Sequence, residues 1–480
     1  MKERLILNPE YSLKGWKLLP YAVYNDERKN AVFLNKQQFD LVLKCSGKKD
    51  IDMDALDENQ KDFLENLKRQ EIVRPAEDGE TRDLYYKFYD NIYKRSVHWS
   101  ITGLCNYHCR HCFQSAPCGE LMQPTLEQCK DIIHQFVECG IGSVSLTGGE
   151  PLVHPDFLAI VDELLANHIS ISVIYSNGLL VTQELLDELH KRGLYTSFQI
   201  SFDGVGYHDW MRGVPGAEKI ALDAIRLLRR NGHGASGAMC LCRENIGSLR
   251  ETVKVLAEAG CGALKTQCAS PQGLWADQKE HFLTYDETLQ AYLDYIPLYA
   301  EDKTPLALQM EGFFMYDPST QTYSCLTDKT LPEGYSVPYT GMPVCGVVHT
   351  NFYLGPSGSV VPCMSLDCIE MTSQFPNIYD MPLKQILSES SFTKFMSLRV
   401  KDLLDHTAEC RECEHRSRCC GGCRAFAAVN DPTDYLAMDN VTCKILKEGW
   451  DQKLYELGDK YFKRAKRQSP EEKAQAAVDC

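Results

Sequence analysis

Three cysteines, Cys105, Cys109 and Cys112, fall within eight positions of "CNYHCRHC", and Cys345, Cys363, Cys410, Cys413, Cys419, Cys423 and Cys443 crowd the last third of the chain. Thiols grouped at such spacings hold metals or iron–sulfur clusters. Three ligands from one loop is the informative number. A 4Fe-4S cube bound by three cysteines keeps one iron open to a ligand from outside the protein. A structural zinc wants a fourth protein ligand, for which the sequence offers His108 or His111. A second stretch, "TGGEP", carries Gly148, Gly149, Glu150 and Pro151. Paired glycines let a backbone approach a ligand closely, and a carboxylate beside them accepts hydrogen bonds from an ammonium group; taken alone, the stretch is also an ordinary turn.

The elements that must position these residues are legible between about 96 and 300. Strand-like runs "VHWSITGLC", "VSLTGG", "ISVIYSNG", "TSFQISFDG", "ASGAMCLC" and "ALKTQCAS" alternate with helical runs such as "TLEQCKDIIHQFVECG", whose apolar residues recur every three or four positions before a closing glycine. Six βα units in a row predict an α/β fold with a parallel sheet. Periodicity leaves a partial barrel and an open doubly wound sheet both standing. In either, the loops after the strand C-termini hold the chemistry. The cysteine loop follows the first strand, "GGEP" the second and "SNG" the third, and "SFDG" ends the fourth.

Residues 1–95 have another texture: two strands around "NDERKN", a helix ending near Gly47, a second helix in "DALDENQKDFLENLKRQEIVRP" and a closing strand. After 300 the βα rhythm stops, and "DPSTQTYSCLTDKTLPEGYSVPYTGMPVCG" reads as loop. The tail from Lys463 is polar and reads as a fraying helix.

Composition narrows the class. A net charge of −15 and a pI near 5.4 argue against a nucleic-acid backbone or an anionic membrane as the main partner. "MKERLILNPEYSLKGWK" lacks the apolar core of a signal peptide, and no apolar run approaches the ~18 residues that span a bilayer. A cytoplasmic protein is the expectation. Twenty-two cysteines in a large chain without an export signal point away from a disulfide framework. Cys45, Cys118, Cys129, Cys139, Cys240, Cys242, Cys261, Cys268, Cys368, Cys420 and Cys480 have no grouped partner, and many of them are expected as buried thiols.

Cys-x3-Cys-x2-Cys after the first strand, Gly-Gly-Glu-Pro after the second and "SFDG" at the fourth together resemble the radical S-adenosylmethionine (SAM) enzymes. The resemblance implies a partial (β/α)6 barrel over residues 96–305 and a 4Fe-4S cluster on Cys105, Cys109 and Cys112. SAM's amino and carboxylate groups would chelate the open iron, and its cleavage would give a 5′-deoxyadenosyl radical that abstracts hydrogen. Glu150 and the Gly148–Pro151 turn would receive the methionyl ammonium. Asn177, Ser201 and Asp203 would contact the carboxylate, the ribose or nearby backbone. "HDWMR" resembles a stretch of the sulfatase-maturating members, which makes Arg212 a SAM-carboxylate or substrate contact, with a salt-bridged surface arginine as the bland alternative. His111 stands where the family usually carries an aromatic residue.

The later cysteines resemble the SPASM domain, expected over 345–462, with two auxiliary 4Fe-4S clusters. The likeness implies one on Cys410, Cys413, Cys419 and Cys443, and another on Cys345, Cys363 and Cys423. The cysteine that often precedes the position of Cys345 is missing from "YSVPYTGMPV". Either Cys325 reaches in across the bridging segment 306–344, or that cluster has an open iron able to bind a substrate thiolate. Residues 1–95 resemble the winged helix-turn-helix peptide-recognition module of ribosomal-peptide maturases, which adds a precursor's leader as an extra strand, here near residues 18–34. Residues 463–480 are left as a polar tail.

The expectation is therefore a three-cluster peptide maturase served by a flavodoxin- or ferredoxin-type donor, forming an intrapeptide thioether. Carbon–carbon crosslinking, epimerisation and formylglycine formation in a sulfatase are the rivals within the class. A non-catalytic zinc-binding interaction protein is the rival outside it.

Overall fold

The structure, a computed structural model, describes residues 1–116, 122–331, 337–346, 350–367 and 369–465. Its centre is a run of parallel strands in sequence order: β9 (Ser96–Ser100), β10 (Ser143–Thr147), β11 (Ser170–Ser176), β12 (Ser197–Ser201), β13 (Gly234–Leu241) and β14 (Ala263–Cys268), with β15 (Ala307–Met310) added in parallel as a seventh. Strict alternation makes each strand two-faced. In β13, Ala235, Met239 and Leu241 are buried against the helices, while Ser236, Ala238 and Cys240 face the interior of the curved sheet. The covering helices are α3 (Leu126–Glu138), α4 (Phe157–Ala166), α5 (Gln183–Lys191), α7 (Ala217–Arg230), α8 (Leu249–Glu258) and α9 (Tyr285–Asp302).

The barrel is partial. Its sheet runs on through an antiparallel hairpin, Phe314–Asp317 with Thr322–Cys325, and at the other edge β9 pairs in parallel with Asn351–Leu354. Among the described residues no pairing joins the two ends. The hairpin corrects the reading of 317–325 as loop: "FMYD" and "TYSC" are short aromatic-bearing strands, and only the turn between them is polar. The tail differs too. Lys463–Arg464 forms a short strand against Thr322–Tyr323, and residues 466–480 lie outside the described ones, as do Cys118, Cys368 and Cys480.

The N-terminal residues build a separate core from Leu5, Leu13, Val23, Phe39, Leu64 and their neighbours. A four-stranded sheet there has the order Asn30–Phe33, Leu19–Asn25, Tyr11–Trp16, Tyr86–Tyr89, flanked by helices Lys36–Val42 and Glu58–Arg69. The first helix stops at Val42, short of the turn at Gly47. The later cysteine-rich region, by contrast, shares the barrel's core: Phe352, Leu366, Phe392 and Trp450 belong to the same buried cluster as Trp99 and Leu146. Among the described residues no helix is long and apolar enough to cross a membrane.

Candidate functional site

The loop leaving β9 gathers Cys105, Cys109 and Cys112 around Tyr107, Ala217 and Val214 in a small apolar cluster. Each sulfur accepts one N–H: from Tyr107 N at 3.5 Å, from Arg212 Nη1 at 3.6 Å and from Ala116 N at 3.4 Å, in that order. Burial pushes the Cys105 thiol up to about 12, and the charges of Cys109, Glu150 and Cys112 push the same way. Three free thiols on one loop, each with an N–H directed at its sulfur, form a site that a cationic cluster would stabilise.

Two thiolates on one zinc ion lie at most about 4.6 Å apart. Among the described residues, the one trio of His, Cys or acidic ligand atoms within 4.8 Å of one another is His111, Asp203 and Cys240, and none of the three cysteine groups forms such a trio. The His111 trio already has its cation, because Arg212 Nε lies 2.6 Å from Asp203. His111 itself points at Asp203, 3.8 Å away, and burial pushes it down to about 4.

Gly148 and Gly149 are glycines for a reason that spacing did not show. A Cβ on Gly148 would stand 2.6 Å from the Thr102 carbonyl oxygen, and one on Gly149 2.3 Å from that of Leu104. The cysteine loop itself makes the close approach, and Gly149 N and Glu150 N donate to those two carbonyls at 2.8 and 2.9 Å. Glu150 is buried and accepts from Asn177 N at 2.7 Å and Leu152 N at 3.2 Å, the latter capping the turn that Pro151 opens. Burial raises its carboxyl to about 7. Asn177 also donates to Asn106 Oδ1 at 2.7 Å, so the loop after β11 is stitched to the cysteine loop. Asn106 escaped the sequence reading, although it lies inside the cysteine motif. Ser201 ends β12, half-buried.

Asp203 and Arg212 face each other in one buried pair. Asp203 is fully buried, accepts from Cys240 N at 3.0 Å and is paired with Arg212, so it is turned away from open space. Burial opposes its charge, but the guanidinium holds the carboxyl well below the usual range. Arg212 is no surface arginine: its side chain is 11% exposed, with Asp203 on one side and Cys109 on the other.

Cys410, Cys413, Cys419 and Cys443 line one small cavity of about 20 Å³ together with Asp439. Cys345, Cys363 and Cys423 form the other group: burial, then the charges of Cys423 and Cys345, push Cys363 up to about 12. Cys325 lies buried at the end of the hairpin strand Thr322–Cys325, and burial raises its thiol, against backbone N–H groups of Asp328 and Thr327. Cys45, Cys129, Cys139, Cys242, Cys261 and Cys420 are buried thiols as expected.

Comparison with known proteins agrees with this geometry. Residues 99–256 match the model of the radical SAM superfamily, and residues 345–414 match the SPASM iron–sulfur cluster-binding domain. The mycofactocin maturase MftC of Mycobacterium tuberculosis is 28% identical over 342 residues, 68% of this chain and 77% of that protein. The AdoMet-dependent heme synthase of Nitratidesulfovibrio vulgaris is 26% identical over 359 residues, 71% of this chain and 90% of its own. Among solved structures, Streptococcus suis SuiB bound to precursor peptide SuiA shares the fold with a TM-score of 0.62 at 13% identity, over 92% of this chain and 100% of that one. The chain is a radical SAM enzyme with a C-terminal SPASM domain, and its cofactors are S-adenosylmethionine and 4Fe-4S clusters.

Proposed function

We propose that this enzyme matures a ribosomally made precursor peptide. The observation that carries the reading is the combination, in one chain, of a three-cysteine loop, two further cysteine groups, one of them packed against the barrel's core, and an N-terminal module with a core of its own and the edge strand Asn30–Phe33. A strand at a sheet's edge is what an extended leader pairs with, since main-chain hydrogen bonds give affinity without a fixed side-chain code. A maturase among the relatives supports the same reading.

Cys105, Cys109 and Cys112 would hold the SAM-binding cluster, Cys410, Cys413, Cys419 and Cys443 one auxiliary cluster, and Cys345, Cys363 and Cys423 the other. Glu150 and the carbonyls of Gly148 and Gly149 would take the methionyl ammonium, with Asn177 and Ser201 lining the same end of the barrel. When bound, SAM on a reduced cluster supplies abstraction of a hydrogen atom from an unactivated C–H bond. The chain's part is to orient the peptide over β9–β14 and to keep water out. A ferredoxin- or flavodoxin-type protein would deliver the electron.

The finer reading is an intrapeptide thioether from a cysteine sulfur to carbon. It rests on the sequence of the second auxiliary group: residues 335–344 hold no cysteine, and the three cysteines Cys345, Cys363 and Cys423 leave room for one soft ligand from the peptide, such as its thiolate. A thioether removes two hydrogens from the peptide, whereas epimerisation leaves its mass almost unchanged.

The test is iron and acid-labile sulfide per chain on anaerobically reconstituted protein. Three 4Fe-4S clusters give about 12 irons, falling to about 8 when Cys105, Cys109 and Cys112 are changed to Ala. Stoichiometric zinc with little iron would overturn the assignment of ligands and favour a binding protein.

A further inference from the structure

We infer that Arg212, held by Asp203, is a positioning residue for the SAM-binding cluster: its guanidinium hydrogen-bonds the sulfur of Cys109 and sets the cluster's reduction potential. The inference rests on the reading that Cys105, Cys109 and Cys112 hold that cluster.

The geometry begins with the short helix α6 (His208–Arg212), whose C-terminal end is docked on the cysteine loop. Arg110 N donates to Met211 O at 2.9 Å, and Arg110 Nε donates to Trp210 O at 3.1 Å with the guanidinium over the Trp210 ring. Gly213 closes the helix at φ 67°, and a Cβ there would stand 2.5 Å from the His108 carbonyl oxygen. The helix end can approach the loop only because residue 213 is glycine. These contacts leave Arg212 one place to lie, between Cys109 and Asp203.

Its charge is fixed there from the other side. Asp203 forms an ion pair with Arg212 Nε at 2.6 Å, accepts from Arg212 Nη2 at 3.1 Å and from Cys240 N, and is itself anchored because His208 Nδ1 accepts from Asp203 N at 2.9 Å and Asn245 Nδ2 donates to Asp203 O at 2.8 Å. Nη1 remains to donate to Cys109 Sγ at 3.6 Å. Hydrogen bonds to cluster sulfurs and nearby charge are the levers by which a protein sets such potentials. Reduction adds a negative charge to the cluster, so the guanidinium favours the reduced state. The Asp203 carboxylate, paired with the same guanidinium, opposes it. The two residues therefore act with opposite sign.

That opposition supplies the experiment. The potential of the EPR signal that disappears in the Cys105/Cys109/Cys112→Ala variant is measured on full-length reconstituted protein without SAM, in wild type, Arg212→Met, Arg212→Lys and Asp203→Asn. The expected result is a lower potential in Arg212→Met, a higher one in Asp203→Asn, and a smaller fall in Arg212→Lys, with iron content unchanged in the lysine and asparagine variants. Shifts of the same sign in Arg212→Met and Asp203→Asn, or loss of iron from all three variants, would mark the pair as structural scaffolding and overturn the inference. A change that appears only after SAM is added would overturn it too and make Arg212 a ligand of the SAM carboxylate. Wild-type protein without a cluster on the three cysteines would sink the ligand reading beneath it, an outcome distinct from a cluster whose potential ignores both residues.

Discussion

Glu150 shows how the site's chemistry is set by burial. A carboxylate with 1% of its surface exposed resists ionisation even with two backbone N–H groups on its oxygens, and burial lifts it to about 7. An ammonium arriving beside it would reverse the balance and draw out the proton. Below about pH 7 the free enzyme holds Glu150 protonated, so SAM binding must expel that proton, and affinity falls as the pH drops, by up to about tenfold per unit. Above that value the carboxylate is already ionised and the dependence flattens. Glu150→Gln should bind SAM weakly and without this slope, as followed by equilibrium dialysis on reconstituted protein between pH 6 and 8. A wild-type profile identical to that of the variant would remove Glu150 from the ammonium site.

At the scale of elements, the two auxiliary cysteine groups are joined by one carboxylate. Asp439 caps helix Asn440–Lys447, which carries Cys443, by accepting from Val441 N at 2.9 Å and Thr442 N at 3.0 Å; its other oxygen accepts from Cys423 N at 2.7 Å. Losing a cap costs about 1 kcal/mol, and here the same change also frees the backbone of Cys423. Asp439→Ala should therefore lose iron from both auxiliary groups while the SAM-perturbed EPR signal of the first cluster persists; loss from the four-cysteine group alone would mean the Cys423 contact is incidental. None of this was legible in the sequence, where Asp439 is one acid among many. What was legible were elements whose pattern is local. The six barrel strands declare themselves by alternation and closing glycines, and the cysteine sets by spacing. Pairing between distant segments was hidden: β9 beside Asn351–Leu354 follows from a register across some 250 residues, and the Phe314–Cys325 hairpin was masked by polar neighbours. Gly148 and Gly149 were recognised, but the loop that presses on them is visible only once the chain is folded.

The whole molecule divides unequally. The SPASM region shares a sheet and much of its buried core with the barrel, and adds a small cluster of its own around Val400 and Leu403. The N-terminal module has its own core and meets the barrel through an aromatic seam of Trp16, Tyr24, Tyr89 and Tyr93, with Trp16 Nε1 donating to Cys139 O at 3.3 Å. A deletion can therefore separate recognition from chemistry if it is cut in the right place. Residues 91–95 must stay, because Ile92 N donates to Leu387 O and Arg95 N to Thr350 O, ties that belong to the barrel and its extension. Removal of residues 1–89 should leave about 12 irons per chain and an unchanged EPR potential for the first cluster. Loss of two hydrogens from a cysteine-rich precursor peptide, read by mass, should fall by at least an order of magnitude, because a leader anchored by several main-chain hydrogen bonds supplies binding that the reacting segment alone lacks. A truncated enzyme that modifies the peptide at the full rate would show that recognition lies in the barrel, and would move the reading toward the formylglycine-forming chemistry, which needs no leader.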